Sequence, residues 1–145
     1  MRLFFDTAVL VPALITEHVH HAASKAAYQQ GRREDRSCGG HSLAEFYSTS
    51  TRVPRKFRLG GSEILLMVGE ILENLSILTL APDEHVSTIQ DAVRDQIVGA
   101  TISDALLACC AMKAEADAIY TWNLKHFQQL PDIRSRVRTP WAFSR

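Results

Sequence analysis

No charge of one sign dominates this sequence: 16 lysines and arginines stand against 16 aspartates and glutamates. A broad basic surface, the usual mark of a chain that grips nucleic acid along its length, is therefore excluded, and any electropositive surface must be local. The same balance leaves no charge repulsion against self-association, so a homodimer or a bound partner is expected. Cysteine is scarce and odd in number, at Cys38, Cys109 and Cys110. The adjacent pair falls in a strongly helical stretch and points to different faces. A disulfide framework is excluded, zinc-ligand spacing is absent, and a cytoplasmic location fits. Long apolar runs are missing as well. The opening MRLFFDTAVLVPALI is interrupted by Asp6 and Pro12, so neither a signal peptide nor a membrane span is expected. There is no phosphate-cradling glycine loop, and position 8 is alanine, so no acid pair two apart follows the first strand. No Ser-His-Asp or Cys-His arrangement stands out, and the histidines at 18, 20 and 21 have no ligand spacing on a recognisable frame.

What is present is a chain of 145 residues with 46% hydrophobic and 22% charged content. That composition argues against disorder and is enough for one domain burying about two thirds of its unfolded surface. Leu3, Phe4 and Phe5 form a short apolar run ending in Asp6, the pattern of a strand buried on both faces. Helices are predicted over 7–15, 18–30, 41–50, 62–73, 82–94 and 102–115, with a single turn at 123–127. Gly31 stops the second of them, Ser62 caps the fourth, and Pro82 opens the fifth in the favoured first-turn position. Further strands are predicted near 37–40, 75–80, 118–121 and 137. Short apolar strands alternating with helices imply a three-layer α/β/α sandwich around a parallel sheet of about five strands. Ligands of such sheets sit outside the carboxyl ends of the strands, where Asp6 falls.

Three carboxylates and two neutral polar residues draw attention. Asp6 directly follows an apolar strand and needs a cation, a metal ion or a helix to cap, since an unpaired buried carboxylate is expensive. Glu45 lies inside the apolar decade HSLAEFYSTS, as a partnered acid or as a solvated flank; His41, one turn earlier, is either a co-ligand or a helix-start histidine near solvent. Asp104 follows Ser103 at the head of the long helix, where the dipole welcomes an acid in any case. Thr121 and Asn123 close the strand at 118–121, as site residues or as an ordinary turn. Hard oxygen donors of this kind suit Mg²⁺ or Mn²⁺, which keep several waters and take few carboxylates.

The order of these features resembles the PIN-domain family, and within it the VapC-type toxins of toxin–antitoxin pairs. FFDTAVLV looks like the family's first strand, acid and Ser/Thr; SLAEFYS looks like its glutamate helix; ISDALLACCAMKAEADAIYTWNLKHF looks like its closing block. The resemblance covers nearly the whole chain. It implies a five-stranded parallel sheet, an acidic metal site and hydrolysis of RNA. It carries Asp6, Glu45 and Asp104 over as ligands of Mg²⁺, with Mn²⁺ possible, and Thr121 and Asn123 as supporting polar residues of the catalytic site. Many members place a fourth acid where Asn123 stands, so one ion rather than two is expected here.

The resemblance further implies a cognate antitoxin that blocks the acidic site, with the helices around Phe46 and Leu65–Met67 as docking surfaces, or else as core or a dimer interface. Arg52, Arg55, Lys56 and Arg58 form a cationic loop after the Glu45 helix, an RNA-binding surface with Phe57 for stacking, or else a solvated loop. Arg134, Arg136 and Arg138, with Trp141 beyond, form a second basic set. Two other readings are an interaction module that has lost catalysis, against which the three intact acids stand, and a phosphatase-like enzyme, which the missing glycine loop and second acid disfavour.

Overall fold

The computed structural model describes residues 1–54, 56, 58–99 and 101–140. Among these, five strands form one parallel sheet: β1 (Leu3–Phe5), β2 (Arg36–Gly39), β3 (Ser76–Leu78), β4 (Ala118–Tyr120) and β5 (Val137–Arg138). Their order is β3-β2-β1-β4-β5. The chain steps outward from β1 to β2 and β3, then crosses back to lay β4 on the other side of β1. The switch point of the sheet therefore lies between β1 and β4, where the loops leaving the two strands diverge and leave a crevice.

The strands alternate between two cores, as their two-residue period requires. Leu3, Phe5, Ala118 and Tyr120 face one layer, where Val9, Leu10, Phe46, Ile64 and Ile71 pack. These come from α1 (Thr7–Leu14), α3 (Gly40–Arg52) and α4 (Gly61–Asn74), with α2 (His21–Tyr28) against α1. Phe4 and Ile119 face the other layer, with Leu107, Ala111, Phe127 and Ile133. That layer is built by α6 (Thr101–Lys113) and α7 (Leu124–Gln128), with α5 (Pro82–Arg94) lying along α6. The expected three-layer α/β/α sandwich is thus what forms. Among the described residues no helix is long and apolar enough to cross a membrane.

One glycine matters to the placement of α6. A Cβ on Gly39, at the end of β2, would stand 3.0 Å from Leu107 Cδ2. Glycine there lets α6 lie close to the sheet, and Asp104 sits one turn before Leu107.

Three element boundaries differ from expectation for local reasons. The second helix starts at His21 rather than His18, because the His18 ring accepts the His20 N–H at 3.0 Å and holds 18–20 in a turn. Ser62 is not a cap: α4 starts at Gly61 behind Gly60, whose N–H donates to Glu63 Oε1 at 3.2 Å. Helix α3 begins at Gly40 and runs on to Arg52, so the second strand lies one residue earlier than expected, over Arg36–Gly39.

Candidate active site

Two strand ends create the centre of the site. Phe5 and Tyr120 are register partners, so the residues after them, Asp6 and Thr121, emerge side by side. The backbone joins them: the Asp6 N–H donates to Tyr120 O at 3.0 Å, while Val9 and Leu10 N–H groups donate to Asp6 O as α1 begins. Asp6 occupies the N-cap position of α1 but makes no side-chain capping bond. Its carboxylate instead accepts the Thr121 hydroxyl at 2.7 Å, on Oδ2. Thr121 is in turn oriented by the Asn123 N–H, which donates to its Oγ1 at 2.9 Å. This chain of hydrogen bonds fixes the direction in which the carboxylate faces.

The other acids come from helices on opposite layers. Glu45 projects from α3 and Asp104 from the first turn of α6. Both line one cleft of about 490 Å³ together with Asp6, Thr7, Thr49 and Asn123. Burial pushes the Asp6 carboxyl up to about 6, against the pull of the Thr121 hydrogen bond, and the Glu45 and Asp104 charges push the same way. Glu45 is raised by burial, partly offset by His41, and further raised by Asp104. Asp104 is raised by burial and pulled back by His126. Glu45 and Asp104 each have a histidine partner: His41 Nε2 is 3.3 Å from Glu45 Oε1, and His126 Nδ1 is 3.4 Å from Asp104 Oδ2. Both histidines are well exposed and stand as flanking partners rather than as members of the cleft.

This donor set could hold a cation. Three mutually repelling carboxylates share one crevice, and Thr7 Oγ1 is buried there without a hydrogen-bond partner among the described residues. No three acidic, histidine or cysteine side chains among those residues converge closely enough to enclose an ion unaided. An ion held here would keep waters in its shell, which is the habit of Mg²⁺ and Mn²⁺ rather than of zinc.

Sequence reasoning missed part of the lining. His18, His20 and Trp122 also face the cleft. Trp122 was within reach, being the middle residue of Thr-Trp-Asn, but the histidines lie in a turn whose course no periodicity reveals. None of the described residues of the basic loop lines the cleft. Arg52, Lys56 and Arg58 are exposed; Arg52 and Arg58 donate to Ser48 O and Val53 O. Arg55, Phe57 and Trp141 lie outside the described residues. In the second basic set, Arg136 turns away from the cleft, because its guanidinium donates to Ala116 O at the opposite end of β4. Phe46 is fully buried core and so is no docking residue, whereas Leu65 and Leu66 are 72% and 75% exposed.

An acidic cleft at the switch point of a five-stranded parallel sheet defines a class of α/β proteins, and the sequence matches one family within it. The PIN domain family model matches residues 3–132. The chain belongs to the PIN-domain family, among its VapC-type members. It is 34% identical to Ribonuclease VapC27 of Mycobacterium tuberculosis over 115 residues, which is 79% of this chain and 80% of that protein. Its fold is similar to that of the Mycobacterium tuberculosis toxin VapC20, described as cleaving the sarcin-ricin loop. There the TM-score is 0.68 at 16% identity, covering 83% of this chain and 89% of that one. VapBC-1 from nontypeable Haemophilus influenzae is similar too, with a TM-score of 0.65 at 15% identity over 97% of this chain and 99% of that one.

Proposed function

We propose that this protein is a metal-dependent endoribonuclease acting as the toxin of a toxin–antitoxin pair. The observation that carries the reading is the meeting of Asp6, Glu45 and Asp104, from three separate elements, in one cleft where all three resist ionisation. Such an arrangement raises the free energy of the empty site, and evolution tolerates that cost where a cation offsets it. The 34% identity to a protein named as a ribonuclease supports RNA as the substrate.

Asp6, Glu45 and Asp104 would hold Mg²⁺, with Mn²⁺ as an alternative. When bound, the ion supplies a positive charge for the phosphate oxygens and a water of lowered pKa. The chain's own residues do the rest. Thr121 holds Asp6 in one orientation through its hydroxyl, and Asn123 holds Thr121 through its N–H. Asn123 brings no charge to the site, so one ion is proposed. Glu45, Thr49 and Arg52 follow one another at i, i+4 and i+7 on α3. Arg52 therefore stands about 10 Å beyond Glu45 along α3, outside the cleft lining, and is proposed as a first contact for the RNA backbone.

An antitoxin protein is the proposed partner, and the exposed Leu65, Leu66 and Leu72 on α4 form the apolar surface that it or a second copy of the chain would cover. A cytoplasmic site of action is proposed together with the RNA substrate.

Asp104→Asn tests the catalytic reading. The variant keeps the helix start and the shape of the side chain, so its circular dichroism should match the parent while cleavage of structured RNA falls at least a hundredfold. Undiminished cleavage by a folded Asp104→Asn protein would end the proposal.

A further inference from the structure

The wall of the cleft facing the α1–α2 connection carries three aromatic rings in succession. Trp122 is half-buried against the core, and its indole N–H donates to the buried Ser24 Oγ at 2.9 Å. The His20 ring stacks on that indole, with centroids 3.8 Å apart and planes 15° from parallel. The His18 ring follows at 5.7 Å and 32°. All three line the same cleft as the carboxylates. The ladder is assembled in advance: His18 Nδ1 accepts the His20 N–H, and the next residue, His21, has its Nδ1 2.8 Å from Pro12 O.

Nothing in the carboxylate chemistry uses these rings. Among the described residues no lysine or arginine lines the cleft, and this wall offers rings rather than cations. Burial, then the neighbouring His20 and His21, lower the His18 imidazole from its ordinary value, against a charged contact there. Flat rings at the edge of a phosphate-handling site match the faces of nucleobases, and every base has such a face.

We propose that the His18–His20–Trp122 ladder is a base-stacking subsite that holds an unpaired nucleobase beside the phosphate presented to Asp6, Glu45 and Asp104. The proposal rests on the ribonuclease reading and sharpens its substrate. A paired base has both faces covered by its neighbours in the duplex, so the ladder selects RNA whose scissile phosphate adjoins an unstacked nucleotide. It discriminates little between the four bases, because stacking reads no hydrogen-bonding edge.

Binding is measured on the Asp6→Asn protein, so that cleavage does not interfere. The probes are two single-stranded RNA octamers of equal charge: one carries 2-aminopurine at its centre, and the other has abasic central positions. The base-bearing octamer should bind about fivefold to a hundredfold more tightly, with quenching of the aminopurine. His20→Ala should erase that difference and the quenching, whereas His20→Phe should keep both. RNA cleavage by the parent protein is measured in parallel. Cleavage together with equal affinity for the two octamers, or a difference indifferent to His20→Ala, overturns the subsite alone. Absence of both binding and cleavage overturns the ribonuclease reading and the subsite with it.

Discussion

Replacing Asp6 with asparagine should make the metal-free protein more stable at alkaline pH while removing its activity. The carboxyl sits in the fold with its pKa raised from its ordinary value of 3.8 to about 6, chiefly by burial. A group whose folded value lies above its unfolded one favours the protonated fold. Stability is therefore full below about pH 4, falls as pH rises through about 6, and stays lowered beyond. The difference corresponds to about 3 kcal/mol at pH 8. Asparagine is the same shape, still accepts the Thr121 hydroxyl, and never ionises. Its amide must find a new partner, so a net gain of about 2 kcal/mol is expected, or about 6 °C in melting temperature for a chain of this length. Thermal melts in EDTA from pH 4 to pH 8 read this directly. Asp6→Asn should melt slightly below its parent near pH 4, overtake it between about pH 4 and 6, and keep a constant advantage above that. Magnesium at ten times its Kd should then raise the parent by about 1.4 kcal/mol and leave the variant unmoved. An Asp6→Asn protein less stable than its parent at pH 8 in EDTA would refute the argument that the site is strained by uncompensated charge.

Thr121→Val removes the hydroxyl that holds Asp6 and lowers its pKa. The acidic limb of the pH–rate profile should move to higher pH, and kcat should drop about tenfold, equivalent to about 1.4 kcal/mol. Gly39→Ala puts a methyl 3.0 Å from Leu107 Cδ2. Chemical denaturation should show a loss of about 1–2 kcal/mol, and calorimetry a weaker Mg²⁺ affinity, because α6 and Asp104 shift together. Phe46→Ala empties a fully buried position and should cost about 3–5 kcal/mol in urea unfolding. Leu65→Lys with Leu66→Lys should change stability by less than about 0.5 kcal/mol, yet abolish partner binding or self-association in size-exclusion chromatography.

The fold was legible in the sequence because its strands are extreme. A central parallel strand is apolar on both faces, and Leu3–Phe5 and Ala118–Tyr120 read that way without ambiguity. Arg36–Gly39 was the weak one, since its two outer residues are a charged side chain and a glycine, and its burial comes from the neighbours it joins. Asp6 and Asp104 each read equally as helix caps, one after a strand and one leading a helix, and drew attention as site residues only together. Glu45 gained meaning only beside them. What stayed hidden depends on where separate segments meet. The ring ladder needs Trp122 from the β4 end to meet two histidines from a turn more than 100 residues earlier, and the turn exists because one imidazole accepts a backbone N–H. The basic loop after α3 was visible as composition, yet Glu45 points into the cleft while Lys56 and Arg58 lie outside its lining.

The central claim is that an acidic, cation-holding site cleaves RNA, and one assay tests it most directly. Partner-free protein is incubated with a mixed pool of structured RNAs in Mg²⁺, in Mn²⁺ and in EDTA, beside Asp6→Asn. The account predicts discrete cleavage products with either metal, none in EDTA and none from Asp6→Asn. Cleavage that persists in EDTA, or that Asp6→Asn performs as well as its parent, would contradict it.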